Sequence, residues 1–128
     1  MAIDTQGRPL SPHLQVYRWQ LPMALSILHR ATGVGNAIGA IGLVCWLLAA
    51  AQGPEAYATV QSFYASGLGQ LMLLAWSFSL YYHMCNGIRH LVWDTGRALH
   101  ISKVYRGGII MLCCAGGLTL LTWLSVWF

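Results

Sequence analysis

Ten charged side chains are distributed along this 128-residue chain so unevenly that three long stretches carry none. Twenty-four uncharged residues separate Arg30 from Glu55, 33 separate Glu55 from Arg89, and 22 follow Arg106. A helix that crosses a bilayer needs roughly 20 apolar residues. Each stretch therefore has room for one span, and none comfortably holds two. The expected fold is all-α: one integral membrane domain over 1–128 with three transmembrane helices. The spans are expected at about 21–51, 66–93 and 107–128, behind a polar lead-in over 1–20. Composition agrees, since 57% of residues are hydrophobic and 8% charged, against about 25% charged in soluble domains.

The net charge is +4, but the basic residues sit at helix ends and not along one face, which excludes a nucleic-acid surface. Their placement follows the positive-inside rule. Arg8, Arg18 and Arg30 precede or open span one, and Arg89, Arg97, Lys103 and Arg106 gather between spans two and three. The intervening loop has Glu55 and no Lys or Arg. The N-terminus is expected in the cytoplasm and the C-terminus in the periplasm. "MAIDTQGRPLSPHLQ" contains neither the apolar core of a signal peptide nor the Arg- and Ser-rich pattern of a transit peptide. The expected location is thus a bacterial inner membrane.

The lead-in has two prolines in "RPLSP" and places Tyr17 and Trp19 where an interfacial aromatic belt would sit. Pro22 suits the first turn of a helix. Gly35 and Gly39 form a G-x-x-x-G pair, a signal for close helix packing. Pro54 and Glu55 open a possible short interfacial helix. Cys45, Cys85, Cys113 and Cys114 form no C-x-x-C pair and no covalent haem motif; they read as small packing residues within the spans. The third span, without an ionisable group, reads as scaffold.

The stretch "YYHMCNGIRHLVWDTG" breaks this apolar monotony. At 100° per residue His83, Gly87, His90, Asp94 and Arg97 fall within about 40° of one line on helix two, if the helix runs that far. Arg89 points elsewhere and, like Arg97, reads as a topology residue that snorkels to headgroups. Helix one has a matching line of Ser26, Arg30, Gly33, Ala37 and Ala40, with His29 beside it. His83 lies about 9 Å deeper than Arg89. A histidine inside a span is costly and usually functional. A tight zinc-ligand cluster is not visible, and acidic residues for a proton relay are missing from mid-membrane. A b-type haem suits better: His83 could ligate iron, Gly87 leaves room for a flat ring, and His29, Arg30 and His90 lie where propionates would point. His83 and His90 are about 10.5 Å apart along the axis, whereas trans ligand nitrogens are only about 4 Å apart. A second ligand would come from His29 or from a partner chain.

These residues carry a family resemblance. Arg8-Pro9, then Ser26, His29, Arg30 and Thr32, follow R-P…S-x-x-H-R-x-[ST]. His83, Gly87, Arg89, His90, Trp93, Asp94 and Gly96 follow H-x-x-x-G-x-R-H with a trailing aromatic-Asp-x-Gly. The chain resembles the cytochrome b membrane-anchor subunits of succinate dehydrogenase, respiratory complex II. The resemblance implies a second membrane-anchor subunit, an iron–sulfur subunit and a flavoprotein subunit as partners. It implies haem b between the anchors, with His83 as this chain's axial ligand and the partner anchor supplying the other. It implies a ubiquinone-reduction site that includes Ser26, Ile27, Arg30 and Asp94, and a haem pocket with His29, Arg30, Gly87 and His90. No flavin fingerprint or cluster-binding cysteine set is present, so dicarboxylate chemistry is expected on other chains. Two readings compete: a fumarate reductase anchor working in reverse, and a cofactor-free small transporter or structural anchor. The absence of an inverted repeat argues against the transporter.

Overall fold

The computed structural model of the chain describes residues 6–8 and 18–128. Most of the lead-in, including the expected irregular "RPLSP" and the interfacial Tyr17, lies outside the described residues. Four helices follow: α1 (Leu21–Gln52), α2 (Pro54–Ala65), α3 (Gly67–Asp94) and α4 (Ile101–Trp127).

Local chemistry sets most of these boundaries. Pro22 occupies the first turn of α1, where its missing N–H leaves no bond unmade. Gly53, with φ of 119°, separates α1 from α2 in a conformation that side chains disfavour. Pro54 then opens the expected short helix, with Glu55 in its first turn, where a negative charge complements the helix dipole. Ser66 caps α3 by accepting from the Gly69 amide at 3.2 Å. The connection between α3 and α4 turns through Gly96 at φ 74° and Ala98 at φ 58°.

Two expectations need correction. The helix α3 ends at Asp94, so Arg97 is not on its polar face. The last helix starts at Ile101, not near 107, which brings Lys103 and Arg106 into its first two turns. Charge limits how deep a residue sits in lipid, not whether its backbone is helical.

α3 lies between α1 and α4 and packs most extensively on α4. The small core is Leu25, Tyr82, Met111 and Ala115. Most large apolar side chains face outward, among them Ile38, Leu71, Ile110 and Leu121. In water that surface would drive aggregation; in lipid it is the expected exterior. Helices α1 and α4 are each long and apolar enough to cross a membrane. With 28 residues α3 matches them in length but is less apolar, because it carries the polar groups that face its two neighbours. Those groups tie the helices together. The Tyr82 hydroxyl donates to the Leu25 carbonyl at 2.8 Å, Ser79 donates to Asn36 Oδ1 at 2.7 Å, and the Trp123 indole donates to Ser77 Oγ at 3.0 Å. Tyr81 and Thr122 share a hydroxyl–hydroxyl bond of 2.7 Å.

The G-x-x-x-G pair does serve packing, but against a side chain. A Cβ at position 39 would overlap the Trp76 indole, and one at 35 would meet Ser79 Oγ at 3.9 Å. Overpacking of this kind costs about 1–3 kcal/mol. Gly39→Ala is therefore expected to lower the thermal midpoint of the assembled protein by several degrees. Gly67→Ala, where a Cβ meets nothing within 4 Å, is the control. Equal midpoints would show that α1 and α3 do not depend on this contact. The cysteines are all free, but Cys45, Cys113 and Cys114 lie on exposed faces and only Cys85 is partly buried. The packing role expected for all four therefore holds inside this chain for Cys85 alone.

Candidate functional site

Three histidines meet on the face of the α1–α3 seam away from the core. The rings of His29 and His83 stack, with centroids 4.0 Å apart and planes 14° from parallel. His90 lies one to two turns further along α3, with its ring centroid 5.2 Å from that of His29. Trp93 packs edge-on against His90 at 5.0 Å.

The close approach depends on Gly33. A Cβ there would come within 3.2 Å of His83 Cε1, so glycine lets the imidazole lie against the backbone of α1. His83 Nδ1 sits 3.1 Å from the His29 carbonyl oxygen and 3.2 Å from Thr32 Oγ1. The Thr32 hydroxyl itself donates to the same carbonyl at 2.9 Å. A carbonyl oxygen only accepts, and the threonine proton is already committed to it. Nδ1 must therefore carry the proton in the neutral ring. That tautomer leaves the lone pair on Nε2, which has no hydrogen-bond partner among the described residues. Metal-binding histidines are commonly held this way, by a bond from the other ring nitrogen to a carbonyl.

Gly87, one turn from His83, is open: a Cβ there would meet nothing within 4 Å. Lone pair, open glycine and apolar surroundings suit a flat, iron-containing macrocycle approached from the Nε2 side. His29 cannot sit opposite His83 on one iron in this arrangement, because their rings are in face-to-face contact. Its Nδ1 is buried without a partner.

The other expected site residues are placed differently. Ser26, half-buried, and Arg30, exposed, lie one turn apart on α1, and neither bonds to another described side chain. Ile27 is 49% exposed. Asp94 is exposed at the end of α3, and no hydrogen bond or ion pair joins it to Ser26 or Arg30. Of the line on α1, Gly33 meets His83 of α3, flanked by His29 and Thr32, while Arg30 is exposed.

Arg89 also departs from expectation. Its side chain is buried within the bundle and does not extend from its surface. It is 8% exposed, donates to Asn86 Oδ1 at 3.2 Å and to the Val104 carbonyl at 2.9 Å, and lies 4.1 Å over the Trp93 ring. The helical wheel put it opposite His83 but could not show that α4 covers that face. Thr32 and the His29 carbonyl, which fix the His83 tautomer, were also missed as functional groups. The S-x-x-H-R-x-[ST] spacing marks Thr32, but a backbone carbonyl leaves no signal in sequence.

Outward apolar helices, polar cross-links between them and a histidine stack at the basic end describe a small helical membrane subunit in which one histidine ring nitrogen is left without a partner among the described residues. Residues 4–123 match the family described as succinate dehydrogenase/fumarate reductase transmembrane subunit, and the chain belongs to that family. It is 42% identical over 115 residues to the mitochondrial succinate dehydrogenase cytochrome b560 subunit of Bos taurus, covering 84% of this chain and 65% of that one. To the succinate dehydrogenase cytochrome b556 subunit of Rickettsia felis it is 39% identical, over 91% of this chain and 90% of the relative. To that of Paracoccus denitrificans it is 36% identical, over 94% and 92%. The chain thus spans just under two thirds of the bovine relative's length and nearly all of the other two.

Proposed function

We propose that this chain is the cytochrome b anchor of a succinate:ubiquinone oxidoreductase of a bacterial inner membrane. Under this reading α1, α3 and α4 all span the bilayer, with the N-terminus in the cytoplasm. A second membrane anchor, an iron–sulfur subunit and a flavoprotein subunit complete the complex. The observation that carries the reading is the pinned tautomer of His83, which leaves Nε2 free on a residue one turn from the open Gly87.

Haem b, held by His83 and by a ligand from the partner anchor, would supply a reversible one-electron centre. His83 would hold it through Nε2, while the His29 carbonyl and Thr32 hold its other nitrogen. The stacked His29 ring restrains its rotation. His29, Arg30 and His90 lie toward the basic end, where they offer donors and positive charge to propionates. Ser26 and Arg30 serve the quinone. Ser26 donates a hydrogen bond to a carbonyl oxygen, and Arg30 supplies a fixed positive field. Ile27 offers an apolar wall to the quinone ring, and Asp94 takes part in the polar network at the rim.

The purified complex should show a Soret band that shifts on reduction; its absence would leave only the cofactor-free anchor reading. Reporter fusions at Gly53 and His100 should report opposite sides of the membrane, periplasmic and cytoplasmic. The same side for both would overturn the three-span arrangement.

A further inference from the structure

The buried Arg89 makes no hydrogen bond to the three histidines. It lines a separate cleft of about 310 Å³ between α3 and α4, together with Lys103, Trp93 and Gly107. We propose that this cleft binds the phosphate of an anionic glycerophospholipid. The proposal uses the membrane location of the chain and no part of the haem or quinone reading.

The argument starts from an unbalanced charge. Arg89 is more than nine-tenths buried, yet no carboxylate pairs with it among the described residues. Its two Nη groups bond to neutral oxygens, and Trp93 covers one face. The Nε–H is buried and has no partner. A buried cation lacking an anion is costly, and an unmet donor adds to that cost. A phosphate oxygen in the cleft would answer both.

The surroundings favour an anion. Lys103, in the first turn of α4, adds a second positive charge. The N-cap of α4, His100, makes no side-chain capping bond, so the helix's first amides and its positive dipole end remain available. Gly107 keeps the approach open: a Cβ there would stand 3.7 Å from Arg89 Nε, and a larger side chain would fill the space beside it.

The walls decide between a lipid and a free ion. Ile88, Val92 and Ile110 line the same cleft and are 54%, 42% and 61% exposed. A free phosphate would leave them bare, whereas a phospholipid lays an acyl chain over them. The cleft also lies at the basic end of the bundle, where Arg89, Lys103 and Arg106 gather. Basic pockets between membrane helices are suited to acidic headgroups.

The test is native mass spectrometry of the purified, delipidated complex titrated with phosphatidylglycerol. Phosphatidylcholine serves as the zwitterionic comparison, and millimolar inorganic phosphate as competitor. Wild type should retain one phosphatidylglycerol in preference to phosphatidylcholine. Lys103→Gln and Gly107→Val should each weaken that binding about tenfold, the equivalent of one charge-assisted contact. Arg89→Gln should abolish it. If that variant does not assemble, Lys103→Gln decides, since its side chain is exposed and tolerant. Equal binding by wild type and Lys103→Gln overturns the proposal, as does equal retention of the two lipids. Displacement by inorganic phosphate would identify a free-anion site and reject the lipid.

Discussion

His83→Ala is expected to strip haem from the purified complex or to convert its spectrum to a different ligation state, while the helices remain assembled. The expectation follows from the geometry of one ring. Its Nδ1 proton is held between the His29 carbonyl at 3.1 Å and Thr32 at 3.2 Å, so Nε2 is the nitrogen left to bind. Alanine removes the ligand but leaves the Tyr82–Leu25 and Ser79–Asn36 ties intact, so subunit content should be preserved. Thr32→Val offers a graded comparison. It removes one partner of Nδ1 and the hydroxyl that positions the carbonyl. Losses of such outer partners typically cost about 10–100-fold in metal affinity. Thr32→Val should therefore retain haem that dissociates more readily, with a perturbed spectrum. An unchanged spectrum with full haem in His83→Ala would reject the ligand assignment.

Ser26→Ala and Arg30→Leu are expected to slow succinate-to-quinone turnover by about 10²-fold, the scale of removing one donor from a developing oxyanion. Reduction of a quinone places negative charge on its carbonyl oxygens. A hydroxyl donor and a permanent cation, one turn apart on α1, stabilise that charge best where water is sparse. Both groups are uncommitted: neither bonds to another described side chain. Electron transfer from succinate to an artificial acceptor upstream of the quinone should persist in both variants. The ratio of the two activities in assembled complexes is therefore the measurement. Wild-type ratios in both variants would mean that Ser26 and Arg30 only pack and anchor the helix.

The reduction potentials of the assembled complex and the quinone it carries are the measurements that separate succinate oxidation from fumarate reduction.

The sequence by itself determined the all-helical architecture, the positions of the first two long helices and the family. The architecture depends on one-dimensional properties, the spacing of charges, the length of apolar runs and prolines at helix starts, and the family on the resemblance of the S-x-x-H-R-x-[ST] and H-x-x-x-G-x-R-H motifs. Pro22 and Pro54 act through their own backbone and immediate neighbours, so their effects were legible without a fold. The histidines were legible as an anomaly, because a polar side chain in an apolar run stands out wherever it points. The tertiary structure alone decided which polar groups meet. A helical wheel put Arg30 on one line of α1 with His29 beside it, and the packing of α1 turned His29 and Thr32 toward α3 and left Arg30 exposed. The wheel also placed Arg89 away from His83, and only the position of α4 turned that apparent surface into an interior. The protonated nitrogen of His83 was likewise settled by the carbonyl of His29, a group present at every residue and marked by none. Sequence records where side chains lie along a helix; which of them face another helix depends on how the helices rotate against each other, and that is fixed by contacts between residues far apart in the chain.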